Sequence, residues 1–158
     1  AASDVYKRQD IVRSAWQEII AAADRHNDPG KFTAFTGYEY TSSQNNFENL
    51  HRNVVFADGA PDEPFSRLIS MNPENLWRWM DSLREQGMDS ISIPHNSNGS
   101  DGFMFSNQTY DGQPITQSYT DLRMRNEPIV EVTQVKGTSE THPLLSPRDE
   151  FAAFEIMP

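Results

Sequence analysis

The sequence predicts an α/β domain with a mainly parallel sheet. Stretches with a helical spacing of apolar residues alternate with short stretches rich in β-branched and aromatic residues. The segments between them carry the Gly, Pro and Asn that are typical of turns. A chain of 158 residues is long enough for one domain with its own core.

The first third of the chain predicts one helix and two strands. Apolar residues recur at helical spacing over residues 10–26, and the turn residues "NDPG" then end the helix. Residues 32–40 are rich in aromatic side chains, which favour a strand, and a second strand follows at 50–56. The polar segment between these two strands indicates a hairpin-like loop.

A second helix is predicted over residues 73–86. Asn72 is a favoured N-cap, and Pro73 suits the first helical position because its missing N–H has no partner there anyway. Trp77 and Trp79 lie in this amphipathic helix, so we expect them to pack against neighbours rather than to stack on a ligand.

The remaining elements continue the alternation. They are a strand at 90–94, a short helix at 119–125, a strand at 128–135 and a last helix with Ser146 as its cap. We expect the four strands to lie in one sheet, with the two longer helices packed outside it.

The composition limits the possible partners. A formal net charge of −10 argues against a nucleic-acid backbone or an anionic membrane as a bulk partner. No apolar run is long enough for a membrane helix. Because the chain has no cysteine, a metal site would have to use His and carboxylate ligands. The missing cysteines leave the compartment open and fit an exported bacterial protein slightly better than a cytoplasmic one.

The first nine residues are set apart from this fold prediction. "DVYKRQ" resembles the translation of an adapter used in preparing sequencing libraries, so we interpret residues 1–9 as a cloning or assembly scar. On this interpretation residues 10–158 are the central portion of a larger domain, and the remaining part of the parent chain is a partner of this one.

Chemically active side chains occur at three of the predicted strands. Glu39 lies late in an aromatic strand, His51 lies in the second strand and His95 ends the third. A buried carboxylate without a partner is costly, and together the three form a nitrogen and oxygen ligand set suited to zinc, manganese or iron. A histidine of this kind, taken singly, is more often a structural residue that bonds to a nearby group.

Further polar residues follow these strands. Asn96 and Asn98 belong to the loop "HNSNGSDG", where they can shape a binding site or simply form a turn. Lys136, Arg52 and His142 are candidates for contacting an anionic substrate, although Arg52 can equally be a surface strand residue.

Longer sequence motifs resemble a known family. The order G-Y-E, then a strand histidine, then I-P-H resembles the PHP (polymerase and histidinol phosphatase) superfamily of metal-dependent phosphoesterases. More specifically, the chain from about residue 10 onward resembles the PHP-like bacterial family known as domain of unknown function 3604. The strings that carry this resemblance are "KFTAFTGYEYTS", "NLHRNVVF", "IPHNSNGSDGFMF", "EPIVEVTQVKGTSETHP" and "DEFAAFE".

The resemblance implies a partial, distorted TIM-like barrel of mainly parallel strands with outer helices. It implies two or three divalent metal ions in the full-length protein, with Glu39 bridging metals and His51 and His95 as ligands. The superfamily's opening H-x-H strand, its aspartate–histidine strand and its closing Asp-x-His pair are absent from this chain. At most half of the metal shell is therefore expected here.

The expected function is that of a metal-dependent hydrolase of phosphoesterase type, acting on a small anionic substrate. Glu39 and His95 are the predicted catalytic residues, and this fragment alone is not expected to be a competent enzyme. The alternative is a non-catalytic binding or structural module whose histidines only satisfy strand ends.

Overall fold

The computed structural model describes residues 2–44, 46–139, 142–144, 146–153 and 156, with the backbone alone for residues 2–9. The described elements include three α-helices and five short strands, with two single 3-10 turns after the third strand. In chain order they are α1 (Ala2–His26), β1 (Gly37–Tyr40), β2 (Arg52–Phe56), α2 (Pro73–Arg84), β3 (Ser90–Pro94), the turns Ser97–Gly99 and Phe103–Phe105, α3 (Gln117–Asn126), β4 (Thr133–Gln134) and β5 (Gly137–Thr138).

The main sheet has the order β1-β2-β3, and both of its strand pairs are antiparallel. A second sheet contains only β4 and β5, which also pair antiparallel. Within the part of the chain that the structure describes there is no parallel strand pair and no closed barrel. The prediction of a mainly parallel, partial TIM-like barrel is therefore wrong.

The path of the chain between β2 and β3 explains the antiparallel pairing. The Tyr38 hydroxyl donates to the Phe65 carbonyl at 2.8 Å, and the Tyr40 hydroxyl donates to the Ser70 carbonyl at 2.7 Å. The segment after β2 therefore runs back along the whole sheet before α2 begins. Helix α2 then returns the chain to the far end, where β3 starts opposite Phe56. A helix between two strands normally predicts a parallel crossover. Here the extra pass of the chain before α2 makes β3 run antiparallel to β2.

One face of the main sheet packs against the helices and forms the core. The members of this core are large apolar side chains from β1, β2, α1, α2 and the loop before α2: Trp16, Tyr40, Val54, Phe56, Phe65, Leu76, Trp77, Met80 and Leu83. Both tryptophans of α2 pack against neighbours as predicted, Trp77 fully buried and Trp79 partly buried against the core.

The start of α2 agrees with the sequence prediction. The Asn72 side chain accepts a hydrogen bond from the Glu74 amide at 2.8 Å, and Pro73 occupies the first turn.

Close approach of β1 to β2 is possible because Gly37 has no side chain. A Cβ atom at that position would lie 2.9 Å from the Val54 carbonyl oxygen.

The carboxyl-terminal third differs most from prediction. Residues 128–132 run beside the end of β3, where the Glu131 amide donates to the Pro94 carbonyl at 3.0 Å, but they are not a strand of the main sheet. Ile129, Val130 and Val132 stay about half exposed, so this segment lacks the packing that its apolar sequence predicts. Residues 146–153 form turns instead of the predicted helix.

The amino-terminal helix is longer than predicted. Its backbone is helical from Ala2, through the residues interpreted as a scar. None of the helices that the structure describes is long and apolar enough to cross a membrane.

Candidate metal centre

The face of the main sheet opposite the core brings Glu39, His51 and His95 together. Side chains alternate between the two faces of a strand, so Glu39 points away from the core that Tyr38 and Tyr40 help to form. On β2, Arg52 and Val54 face the core, so Asn53 and the residue just before the strand, His51, lie on the opposite face.

Strand register then aligns the two histidines. Arg52 pairs with Pro94, and the His95 amide donates to the His51 carbonyl at 3.3 Å. The two imidazole rings are 5.9 Å apart between centroids. Histidines that are 44 positions apart in sequence therefore become cross-strand neighbours.

The carboxylate of Glu39 lies between the two rings. Its Oε1 is 3.1 Å from His51 Nδ1, and its Oε2 is 3.7 Å from His95 Nε2. The Thr41 hydroxyl donates to Oε1 at 2.8 Å and so helps to hold the carboxylate in place. One ligand atom from each of the three residues lies within 4.8 Å of the other two. The convergence that the sequence predicts is therefore present.

The environment keeps His51 available as a neutral ligand. Burial lowers the pKa of the His51 imidazole below its ordinary value of 6.5, and His95 adds to the lowering, while the Glu39 carboxylate opposes it. The ring is therefore largely neutral at pH 7 and has a free lone pair.

The His95 ring is the most buried part of the cluster. Its side chain is only 7 % exposed. Its Nε2 faces Glu39, while its Nδ1 is buried and has no hydrogen-bond partner among the described residues. A buried ring nitrogen without a partner is unusual in a residue that serves only to stabilise a fold.

Arg52, one of the predicted substrate contacts, does not lie beside Glu39, His51 and His95. Its side chain is 2 % exposed on the core face, and its Nε donates to Glu127 Oε1 at 2.6 Å. The structure does not bring this guanidinium to the cluster.

The other four predicted substrate residues occupy loops after the strands. Asn96 adopts a left-handed backbone with φ of 55° and accepts from Gln134 Nε2 at 2.9 Å. Asn98 is exposed and Lys136 donates to Ser139 Oγ at 3.2 Å. The His142 ring accepts from the Leu144 amide, so its Nδ1 has a local partner.

Glu131, which the sequence reading did not select, also lies near this face. Its Oε1 accepts hydrogen bonds from the Asn96 amide at 3.3 Å and from Gln134 Nε2 at 2.8 Å, and it also bonds to the Ser139 hydroxyl. The signal that could have found it is a charged residue inside the apolar string "PIVEV".

The donor set is compatible with a metal. Two imidazoles and one carboxylate are ligands that zinc, manganese and iron accept. Atoms that share one tetrahedral zinc ion lie about 3.5 Å apart, given bonds of about 2.0 to 2.2 Å. The ligand atoms of the three residues therefore need to move about 1 Å closer to one another to bind a single ion.

Comparison with known proteins gives one finding. No curated protein and no solved structure matches the chain significantly. A family model described as "Protein of unknown function (DUF3604)" matches residues 1–158, so the chain belongs to that family.

Proposed function

We propose that this chain supplies three ligands of the metal centre of a hydrolase that acts on phosphoesters. The observation that carries the proposal is the convergence of Glu39, His51 and His95 on one sheet face. Residues that only satisfied their own strand ends would have no reason to meet across three strands.

The chemistry of the three side chains supports a divalent transition metal such as zinc, manganese or iron. The carboxylate can use both oxygens at once, because Oε1 faces His51 and Oε2 faces His95. This arrangement suits a carboxylate that bridges two ions. A divalent ion bound there would lower the pKa of a water molecule and stabilise negative charge on a phosphoryl group.

The phosphoester part of the proposal rests on the resemblance of G-Y-E, the strand histidine and I-P-H to metal-dependent phosphoesterases. Lys136 is a basic candidate for a phosphoryl oxygen, since it donates to the Ser139 hydroxyl, and the Ser139 carbonyl accepts from Ser97 in the turn after His95. Arg52 is not part of the proposal because its guanidinium is buried on the other face.

The test begins with metal binding to the chain itself. We expect Zn²⁺ or Mn²⁺ to bind with measurable heat in a calorimetric titration, and Glu39→Gln and His95→Gln to reduce the affinity at least tenfold. His26→Gln is the matched control, because His26 is exposed at the end of α1. Wild-type protein that binds neither ion would contradict the metal centre and favour a non-catalytic module.

Hydrolysis is tested in the full-length protein with a generic aryl phosphoester. We expect His95→Ala to lower turnover by orders of magnitude with little change in the unfolding midpoint. Wild-type hydrolysis by this variant would refute the catalytic part of the proposal even where metal binding is observed.

A further inference from the structure

The Glu131 carboxylate is held by a small group of hydrogen-bond donors. Its Oε1 accepts from the Asn96 amide at 3.3 Å and from Gln134 Nε2 at 2.8 Å, and it also accepts from the Ser139 hydroxyl. All three donors are uncharged, and all three converge on the same oxygen. We call the Asn96 amide, Gln134 Nε2 and the Ser139 hydroxyl the anion cradle, because together they hold a negatively charged oxygen.

The anion cradle lies beside the proposed metal centre. Asn96 directly follows His95, so the backbone amide of the cradle belongs to the next residue after a proposed metal ligand. Lys136 Nζ donates to the Ser139 hydroxyl at 3.2 Å, which places a positive charge next to the cradle. An anion held in the cradle is therefore close both to the end of β3 and to a basic side chain.

The donors of the anion cradle are of the kinds that bind phosphate. Phosphate oxygens in proteins commonly accept from backbone N–H groups, from serine hydroxyls and from the side-chain amides of Asn and Gln, with Lys or Arg adding charge. The cradle has one donor of each uncharged kind, and Lys136 lies beside them. Because a carboxylate oxygen and a phosphoryl oxygen accept the same hydrogen bonds, the Glu131 carboxylate stands in for a phosphoryl group.

Glu131 can leave the anion cradle without disturbing the core. Glu131 is partly exposed, and the donor Gln134 is exposed. The neighbouring Val130 and Val132 are also about half exposed, so little packing holds this segment in place. Rotation of the Glu131 side chain is therefore enough to open the three donors to a ligand from solvent.

We propose that the anion cradle is the phosphoryl-binding subsite of the site proposed above, and that Glu131 fills it as an internal competitor until a substrate anion displaces the carboxylate. The choice of a phosphoester as the substrate rests on the proposed function. The subsite itself consists of hydrogen-bond donors of this chain and needs no metal ion. Its affinity for inorganic phosphate can therefore be measured in the metal-free protein.

The experiment titrates inorganic phosphate into the metal-free chain and follows the Asn96 amide and the Gln134 side-chain amide by NMR. We expect weak binding in wild type and binding about tenfold tighter in Glu131→Ala, because a carboxylate that fills the cradle about nine-tenths of the time lowers the apparent affinity about tenfold. Adding Ser139→Ala to Glu131→Ala should remove most of this gain, since the cradle then lacks its hydroxyl donor.

A second variant covers the case in which Glu131→Ala loosens the β4–β5 hairpin. Glu131→Gln keeps the size of the side chain and an acceptor for the Asn96 amide but removes the charge. Because a neutral acceptor competes less well for these donors, we expect a phosphate affinity between those of wild type and Glu131→Ala.

Glu63→Ala is the matched control. The Glu63 carboxylate is exposed and pairs with Arg13, so this variant changes the net charge by the same one unit at a different place. We expect the response of the Asn96 and Gln134 signals to phosphate to be the same as in wild type.

The outcomes separate this proposal from that of the metal centre. Phosphate affinities of Glu131→Ala and Glu131→Gln that both equal that of wild type overturn the subsite. An equal gain in Glu63→Ala, or a gain that survives Ser139→Ala, overturns it as well. Wild-type protein that binds no Zn²⁺, together with a gain in phosphate affinity in Glu131→Ala, overturns the metal centre and supports the subsite.

Discussion

The buried pair of Arg52 and Glu127 gives the most quantitative prediction. Both side chains are 2 % exposed, and the Arg52 Nε to Glu127 Oε1 distance is 2.6 Å. The same oxygen also accepts from the Trp77 indole at 2.9 Å and lies 3.4 Å from the Ser92 hydroxyl. Glu127→Ala therefore removes the charge that neutralises a buried guanidinium and leaves a buried indole N–H without its partner.

The size of the effect follows from this burial. Breaking a buried ion pair by removing one partner costs about 3–5 kcal/mol, because the other charge stays buried. A domain of this kind has a total stability of about 5–15 kcal/mol. With a urea slope of about 2 kcal/mol/M, the loss moves the unfolding midpoint down by about 2 M.

The assay is urea unfolding followed by tryptophan fluorescence. The double variant Arg52→Met with Glu127→Leu should recover part of the lost stability, because it removes the unpaired Arg52 charge, although the Trp77 indole and Arg123 still lack their acceptor. Glu63→Ala is the control, since the Arg13–Glu63 pair is exposed and should leave the midpoint nearly unchanged. A loss below about 1 kcal/mol for Glu127→Ala, or a double variant as unstable as the single one, would refute the reasoning.

Two further predictions concern α2. Asn72→Ala should cost about 1 kcal/mol in the free energy of unfolding, because it removes the acceptor of the Glu74 amide; an unchanged urea midpoint would contradict this cap. Hydrogen bonding from Arg125 lowers the pKa of Asp81 below 3.8. The stability that the Asp81 carboxylate contributes to the fold is therefore present at neutral pH and is lost as the pH falls through its native pKa. The gap in urea midpoint between wild type and Asp81→Asn should therefore narrow between pH 7 and about pH 3, and a gap independent of pH would exclude this origin.

Local patterns in the sequence were sufficient for the elements that pack on the core. The cap at Asn72 and the apolar stripe of α2 are properties of neighbouring residues, and the structure has both. Strand direction was not predictable in the same way. It depends on the Phe65–Ser70 segment, whose carbonyls bind two tyrosines of β1, and no periodicity reports such contacts.

The candidate site was predicted in part. Glu39, His51 and His95 could be selected because charged or polar side chains within apolar strands are costly when buried, although the structure leaves the Glu39 side chain 44 % exposed. The substrate role expected for Arg52 was less predictable, because its partner Glu127 is 75 positions away in sequence. Glu131 was missed for the same reason, since its contacts join a loop to the end of a different strand.

The alignment of His51 with His95 also has a consequence for folding. Their meeting depends on the register in which Arg52 pairs with Pro94. A slip of one residue between two strands turns every side chain of one strand to the other face. A chain that paired β2 with β3 one step out of register would put a histidine into the apolar core and leave the cluster incomplete. The cluster can therefore form only when β2 and β3 pair in their native register.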